Sequence, residues 1–283
     1  MHRILQYFDV RLFRAFVRPF LEKYEAESNL LPGGLEDLYH KPAVESPLML
    51  EARDSLEQTV CVALFTQINL IVTRGPEEIW SLLADKIKET GIDIPGVIGP
   101  SQAAEKFAIA WSKARGCQTA FAMGHKVYKL NQVIWPSKLL GQARLINLGD
   151  VELVTDWGRR YAQESAPWEQ PSLSQTRALV KAGMTYVWED KGVPVAMASL
   201  GRPTKNGISV KTVYTPPEYR KQGYGTALVA AVSAEGLRRG KKFCVLYAEN
   251  TNLANSIYQK AGYEFVTESS QYVFCHYNQK SRD

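Results

Sequence analysis

Apolar side chains recur at spacings of three and four from residue 12 to residue 24, at Leu12, Phe13, Phe16, Val17, Phe20, Leu21 and Tyr24. This period predicts an aromatic-rich helix resting on a sheet, with Asp9 placed to cap its first amides. Pro19 falls inside the pattern and predicts a kink or an early stop. Pro32-Gly33-Gly34 reads as a turn leading into a short helix. Residues 48–52, 59–66 and 68–72 are β-type runs, the last two so close that they read as one strand or two. Pro76-Glu77-Glu78 opens a helix through Ile79, Leu82, Leu83 and Ile87, with Gly91 in the stop position. Residues 96–101 form a strand passing into a helix that Ser101 can cap. Residues 117–133 alternate as strand material until Trp135-Pro136.

The remainder repeats the theme. Residues 141–148 run into a strand, and a helix starts near Asp150 and continues to about residue 164. A second helix over 172–182 is closed by Gly183. Strands at 184–189 and 193–200 form a hairpin, and Asn206-Gly207 turns the chain into a third strand over 208–215. A helix ending at Gly240, a strand at 243–247, a short helix from residue 250 to Gly262, and strands at 263–266 and 271–277 complete the pattern. The fold class expected is α+β, a mixed and mostly antiparallel sheet flanked by helices, in two domains at 1–140 and 141–283.

Composition narrows the function classes. The 283 residues are 45% hydrophobic and 22% charged, which are globular values. The longest apolar runs are too short to cross a bilayer, and no secretory leader precedes Asp9, so a cytoplasmic protein without a membrane partner is expected. Cys61, Cys117, Cys244 and Cys275 have no paired spacing, and His2, His40, His125 and His276 are isolated, so no metal site is expected. A net charge of +5 from 34 basic and 29 acidic residues is interspersed, which argues against nucleic acid and suits an anionic cofactor. The basic run at 238–242 reads as a solvated helix C-terminus.

The chemistry concentrates in Val213-Tyr-Thr-Pro-Pro-Glu-Tyr-Arg-Lys-Gln-Gly-Tyr-Gly-Thr-Ala-Leu228. A strand meets two prolines that cannot extend a ladder, and the chain enters a helix through Arg220, Lys221, Gln222, Gly223, Tyr224, Gly225 and Thr226. Glycines there allow close approach of a ligand to the main chain, and the free amides at a helix start attract phosphate oxygens. Arg220 and Lys221 add positive charge, so the stretch reads as a pyrophosphate cradle. Neither the dinucleotide pattern Gly-x-Gly-x-x-Gly nor the nucleotide-triphosphate loop is present.

Arg-x-x-Gly-x-Gly in this strand-to-helix setting resembles the coenzyme A loop of the GNAT acyltransferase superfamily. The order of elements from Arg144 onward is similar too, as is Asn252-Leu-Ala-Asn255-Ser-Ile-Tyr258-Gln-Lys-Ala-Gly262-Tyr263. Trp188-Glu-Asp, Arg202-Pro-Thr-Lys-Asn-Gly and Val-Tyr-Thr-Pro-Pro-Glu resemble a bacterial subfamily of predicted acetyltransferases whose N-terminal half is itself a worn GNAT-like domain. Residues 96–101 imitate the cofactor turn without its Arg-x-x-Gly-x-Gly residues.

The resemblance implies a GNAT fold and an N-acetyltransferase that uses acetyl-CoA, moving the acetyl group to a primary amine of a small molecule or peptide by direct attack. It implies that Val213 and Thr215 pair with the pantetheine arm and that a backbone amide near Tyr214 faces the thioester oxygen. Amides of residues 221–226 would hold the pyrophosphate, and Tyr258 would protonate the departing thiolate. Asn252 and Asn255 either cap their helix or bond the pantetheine. The third strand carries no acid at the position that supplies a base in some members, which leaves Glu249, then Glu189, as candidates. The rival readings are a coenzyme A-binding sensor or scaffold without catalysis, a glycine-type N-acyltransferase using longer acyl groups, and transfer from aminoacyl-tRNA, which the balanced charge disfavours.

Overall fold

A computed structural model describes residues 2–40, 47–65, 67–137, 141–165, 170–249 and 255–275. The chain divides into two compact units, residues 1–126 with 267–283, and residues 127–266.

Unit 1 starts with β1 (Arg3–Tyr7), a strand that the sequence pattern does not announce, then α1 (Val10–Lys23) and α2 (Leu30–His40). Asp9 caps α1, accepting from the amides of Arg11 at 2.7 Å and Leu12 at 3.3 Å. The helix runs through Pro19 to Lys23 rather than stopping. It buries Phe13, Val17 and Leu21, whereas Leu12 and Phe16 face outward. Pro32 lies in the first turn of α2, where a missing N–H leaves no bond unmade, so the expected turn is helical.

Strands β2 (Leu48–Arg53), β3 (Thr59–Phe65) and β4 (Leu70–Val72) follow, then α3 (Ile79–Glu89), β5 (Gly96–Pro100), α4 (Ser101–Arg115) and β6 (Gln118–Leu130). Strands β1 to β4 are antiparallel neighbours and β4 pairs with β5 in parallel. Ser101 is the first helical residue of α4 rather than its cap, and its hydroxyl bonds that of Ser270 at 2.7 Å.

Helices α1 and α2 bury Phe13, Leu21 and Leu35 against Met49, Val62 and Leu64 of the sheet, while α3 and α4 bury Leu83, Phe107 and Trp111 among the alternate residues Leu50, Cys61 and Val97. Within the sheet, the Glu51 side chain is fully buried and satisfied: Arg53 donates to it at 3.0 and 2.9 Å, Thr59 at 2.5 Å, and the Tyr7 hydroxyl as well.

Unit 2 repeats the order: β7 (Gln142–Leu145), α5 (Val151–Ser165), α6 (Leu173–Ala182), β8 (Thr185–Asp190), β9 (Val193–Gly201), β10 (Gly207–Tyr214), α7 (Tyr224–Arg238), β11 (Phe243–Glu249), α8 (Asn255–Lys260) and β12 (Glu264–Cys275). Ser172 and Gln175 form a capping box at the start of α6, and Gly183 ends it with φ +62°. Strands β7 to β10 are antiparallel neighbours, and β10 lies parallel to β11. Helix α7 buries Leu228, Val229 and Val232 against Ile208, Val210, Cys244 and Leu246, and α5 covers the other face with Val154 and Trp157 on Val187, Met197 and Tyr214.

The closing strands exchange units. Strand β6 leaves unit 1 after residue 126, and β12 leaves unit 2 after residue 266. Residues 269–273 of β12 then pair antiparallel with β5. The strands expected at 263–266 and 271–277 are therefore one continuous strand, β12, whose second part completes the unit 1 sheet.

Candidate active site

The site of unit 2 is built where β10 stops pairing. Its register with β11 runs Gly207↔Phe243, Ile208↔Cys244 and Ser209↔Val245, and among the described residues the pairing ends there. Yet β10 continues to Tyr214 and β11 to Glu249, so the two strands part and leave a slot edged by main-chain groups. On its other side β10 slips by one residue against β9, with Lys211 opposite Ser199 and Tyr214 opposite Met197. The extra residue brings Thr212 to φ +52°, an outlier for a β-branched side chain, and the bulge turns the strand end.

Beyond Thr215, residues 217–219 make one 3-10 turn, and Lys221 (φ +64°) and Gly223 (φ +91°) take left-handed conformations. Left-handed geometry costs an L residue roughly 1–2 kcal/mol, which explains glycine at 223. Helix α7 begins at Tyr224 with no side-chain cap, and the first bond from inside the helix is Ala227 N–H to the Gly223 carbonyl at 3.0 Å. The amides of Tyr224, Gly225 and Thr226 thus point out of the helix start together, with the positive end of its dipole behind them. Gly225 is helical, and its lack of a side chain matters for space: a Cβ there would sit 3.3 Å from Thr215 Oγ1 and 3.5 Å from Ile257 Cδ1. That direction points between β10 and α8, into the mouth of the slot.

Two of the expected site residues bond to neighbouring parts of the chain. Arg220 donates from Nε to the Thr215 carbonyl at 2.8 Å and makes a two-pronged ion pair with Glu164 of α5 at 2.7 and 2.9 Å. Its charge is neutralised by Glu164, so the positive character of the turn rests on the helix dipole and exposed Lys221. Tyr224 is buried and its hydroxyl donates to Asp190 at 2.6 Å, leaving only its amide toward the turn. Gln222 is exposed and its amide reaches the Glu218 carbonyl at 3.3 Å. Val213 packs on the α7 core, whereas Tyr214 turns its ring to the α5 side. The Tyr214 hydroxyl is buried with no hydrogen-bond partner, and burial raises its pKa.

At the far end of the slot, Tyr258 of α8 is buried between Tyr128 and Tyr263, at ring separations of 6.3 and 6.4 Å. Burial pushes its phenol well above the usual value, and Tyr161, Glu249 and Tyr128 push it the same way. Glu249 is half-buried at the end of β11, and burial raises its carboxyl too. Glu189, the second candidate base, is held by Arg144, which also binds Asp150 at 2.7 Å, so it belongs to a structural ion cluster. Asn252 lies outside the described residues, as does the Asn255 side chain.

Sequence reasoning missed Glu164, Asp190, Tyr161 and Tyr128. Helical spacing on α5 puts Trp157, Tyr161 and Glu164 along one stripe, which is the signal that pointed to the first and third of these.

The Acetyltransferase (GNAT) family model matches residues 151–263, the span that carries the bulge, the loop, α7 and α8. The match makes residues 151–263 a GNAT acetyltransferase domain. No curated protein matches it in sequence. Solved structures share the fold of this chain at low identity. A GNAT-family acetyltransferase from Colwellia psychrerythraea is 12% identical with a TM-score of 0.58, over 96% of this chain and 100% of its own. A GCN5-related N-acetyltransferase from Kribbella flavida is 12% identical with a TM-score of 0.59, over 89% and 97%. A tandem GNAT protein from the clavulanic acid biosynthesis pathway is 12% identical with a TM-score of 0.53, over 98% of each chain. Such a two-part relative agrees with the repeated element order, which makes unit 1 a second GNAT-like half.

In unit 1 the counterpart of the loop is the turn between β4 and α3, residues 73–78. The β5–α4 junction at 96–101, expected to be the worn cofactor turn, corresponds instead to the β11–α8 junction. The 73–78 turn contains Pro76, which has no N–H, and places the acidic Glu77 and Glu78 just before the first turn of α3; Glu77 pairs with Lys106. Among the described residues, no group of three or more His, Cys, Asp and Glu side chains clusters as a metal site, and no helix is long and apolar enough to cross a membrane.

Proposed function

We propose that this GNAT enzyme moves an acetyl group from acetyl-CoA to a primary amine by direct attack in a ternary complex, with all the chemistry in unit 2. The observation that carries the reading is the conjunction of three outward amides at residues 224–226 with a slot of unpaired strand edge leading from them to Tyr258 and Glu249. Amides of residues 221–226 hold the diphosphate, and the edges at Val213 and Thr215 pair with the pantetheine arm. That arm delivers the thioester carbonyl to the splayed strand end, where an amide near Tyr214 donates to the developing oxyanion.

Glu249, made more basic by burial, takes a proton from the acceptor ammonium. The nitrogen then forms the C–N bond and the C–S bond breaks. Tyr258, kept protonated across the neutral range, donates to the departing sulfur. The proton lost by nitrogen balances the one gained by the thiol, leaving an amide and free coenzyme A. The 73–78 turn of unit 1, with two carboxylates at its helix start, supports a single active site.

Calorimetric titration with coenzyme A and thiol release from acetyl-CoA over a set of amines test the reading. Tight binding with no thiol release by any amine favours the sensor. Release from longer acyl-CoA in preference to acetyl-CoA favours the glycine-type alternative.

A further inference from the structure

The splayed end of β10 divides its side chains between the two faces of the sheet. Val213 packs on the α7 core, and Tyr214, next along the strand, turns to the α5 side, where its ring lies among Val154, Trp157, Val187 and Met197. The residue is 4% exposed, and its hydroxyl has no hydrogen-bond partner. A buried hydroxyl without a bond costs stability that phenylalanine, of nearly the same shape, would avoid. Such a cost at the strand end that edges the slot points to a partner that arrives with the substrate.

The arginines around the ring are already paired. Arg220, 5.8 Å from the ring centroid, is doubly bonded to Glu164, and Arg160 pairs with Asp156 at 2.8 Å. Glu164, Arg220, Arg160 and Glu218 are the groups whose charges act on the Tyr214 phenol, and all four are exposed, so the hydroxyl end lies just beneath the surface at the last turn of α5. Burial raises the phenol, with Glu164 adding to the effect, so it stays protonated across the neutral range. Toward the slot, Tyr161 packs on the same cluster and acts electrostatically on the Tyr258 phenol, so this pocket borders the reaction centre. What the pocket offers is therefore a neutral hydroxyl in apolar surroundings, which both donates and accepts.

We propose that Tyr214 recognises the acceptor, its hydroxyl bonding a neutral oxygen carried by the amine, and that the acceptor is an amino alcohol. A hydroxyl matches a phenol in both directions of hydrogen bonding, and it enters an apolar pocket without bringing a charge. The inference rests on the amine-acetylation reading and adds the substrate class and a recognition residue to it.

The test compares 2-aminoethanol, 3-aminopropanol and 4-aminobutanol with propylamine, butylamine and pentylamine, each alkylamine carrying a methyl where its partner carries the hydroxyl. For at least one pair, kcat/KM with acetyl-CoA should favour the alcohol by about fivefold or more, the discrimination of one neutral hydrogen bond. Tyr214→Phe should bring that ratio toward one, an effect that a merely structural role would not produce. Equal use of both members of every pair, or a preference that survives the substitution, overturns the inference. Thermal unfolding without ligand gives a second reading: Tyr214→Phe should melt at or above the wild-type temperature, because the lost hydroxyl had no bond. A fall of more than about 2–4 °C would show a hydroxyl bonded in the free protein and overturn the inference. If no amine releases thiol, calorimetry of the same pairs on the coenzyme A-saturated protein decides: tighter binding of an alcohol that Tyr214→Phe abolishes sustains the inference, and equal or absent binding overturns it. Failure of coenzyme A itself to bind would instead sink the acetyl-transfer reading, and the same pairs titrated on the free chain would still decide the acceptor preference.

Discussion

Replacing Gly225 by glutamate separates the stability of the fold from the binding of a diphosphate. The residue is already helical, so its new side chain meets no conformational barrier, and the contacts of its Cβ are 3.3 Å to Thr215 Oγ1 and 3.5 Å to Ile257 Cδ1. Losing a glycine from a helix gains about 0.5 kcal/mol, and a carboxylate in the first turn adds about 0.3–1 kcal/mol. Together these raise the free protein by about 1 kcal/mol, or about 2–4 °C in Tm. Binding moves the other way, because the carboxylate enters the mouth of the slot beside the amides that would hold phosphate. For the wild type, coenzyme A at 100 times its Kd stabilises by about 2.7 kcal/mol, a rise of about 5–10 °C. Thermal unfolding of both proteins with and without coenzyme A is the assay. The 3.3 Å contact with Thr215 Oγ1 requires that side chain to shift and offsets part of the gain, so Gly225→Glu should melt near the wild-type temperature and show no rise with ligand. A full ligand-induced rise in the variant would refute the placement of the diphosphate.

Three further outcomes are expected. Tyr258→Phe keeps the ring in the core, so Tm changes little while kcat falls about a hundredfold and acetyl-CoA affinity holds, as steady-state kinetics would show. Glu249→Gln removes the acidic limb of the kcat/KM profile. Because burial raises the Glu249 carboxyl above its unfolded value, its ionisation disfavours the fold as pH rises through that window, so the glutamine variant gains stability relative to wild type on the alkaline side. In unit 1, burial alone would raise the Glu51 carboxyl, but hydrogen bonds from Arg53, Thr59 and Tyr7 outweigh it and hold the group below its usual value. Its contribution is present above the unfolded carboxylate range and lost as pH falls through the lowered value, and Glu51→Gln should cost about 1–3 kcal/mol in denaturant unfolding by weakening its bonds with Arg53, Thr59 and Tyr7.

The turn from β10 into α7 was legible because its signals are local: two prolines, a left-handed glycine and an apolar helix face lie within sixteen residues. Helix ends marked by Asp9, Ser172 and Gly183 were legible for the same reason. What escaped depends on partners distant in sequence. The pairing of Arg220 with Glu164, 56 residues away, could not be read from the local pattern. Glu189 looked like a base, yet Arg144 across the β7–β8 pair claims it. Strand β1 lacks a distinctive alternation because it is an edge strand whose pairing with β2 decides its conformation. The two strands read at 263–266 and 271–277 are one, since the polar Thr267-Glu268-Ser269-Ser270 looked like a break, although the Ser269 hydroxyl donates to the Gly99 carbonyl at 2.9 Å.

The exchanged closing strand also constrains how the chain is made. Gly99 waits on the ribosome for Ser270, 171 positions later, so unit 1 cannot finish its sheet until residues 269–273 have emerged. Long-range closure of this kind slows folding and exposes an unmated edge in the interval. Cutting the chain at residue 126 would therefore deprive unit 1 of its last strand segment, which follows unit 2 in the sequence.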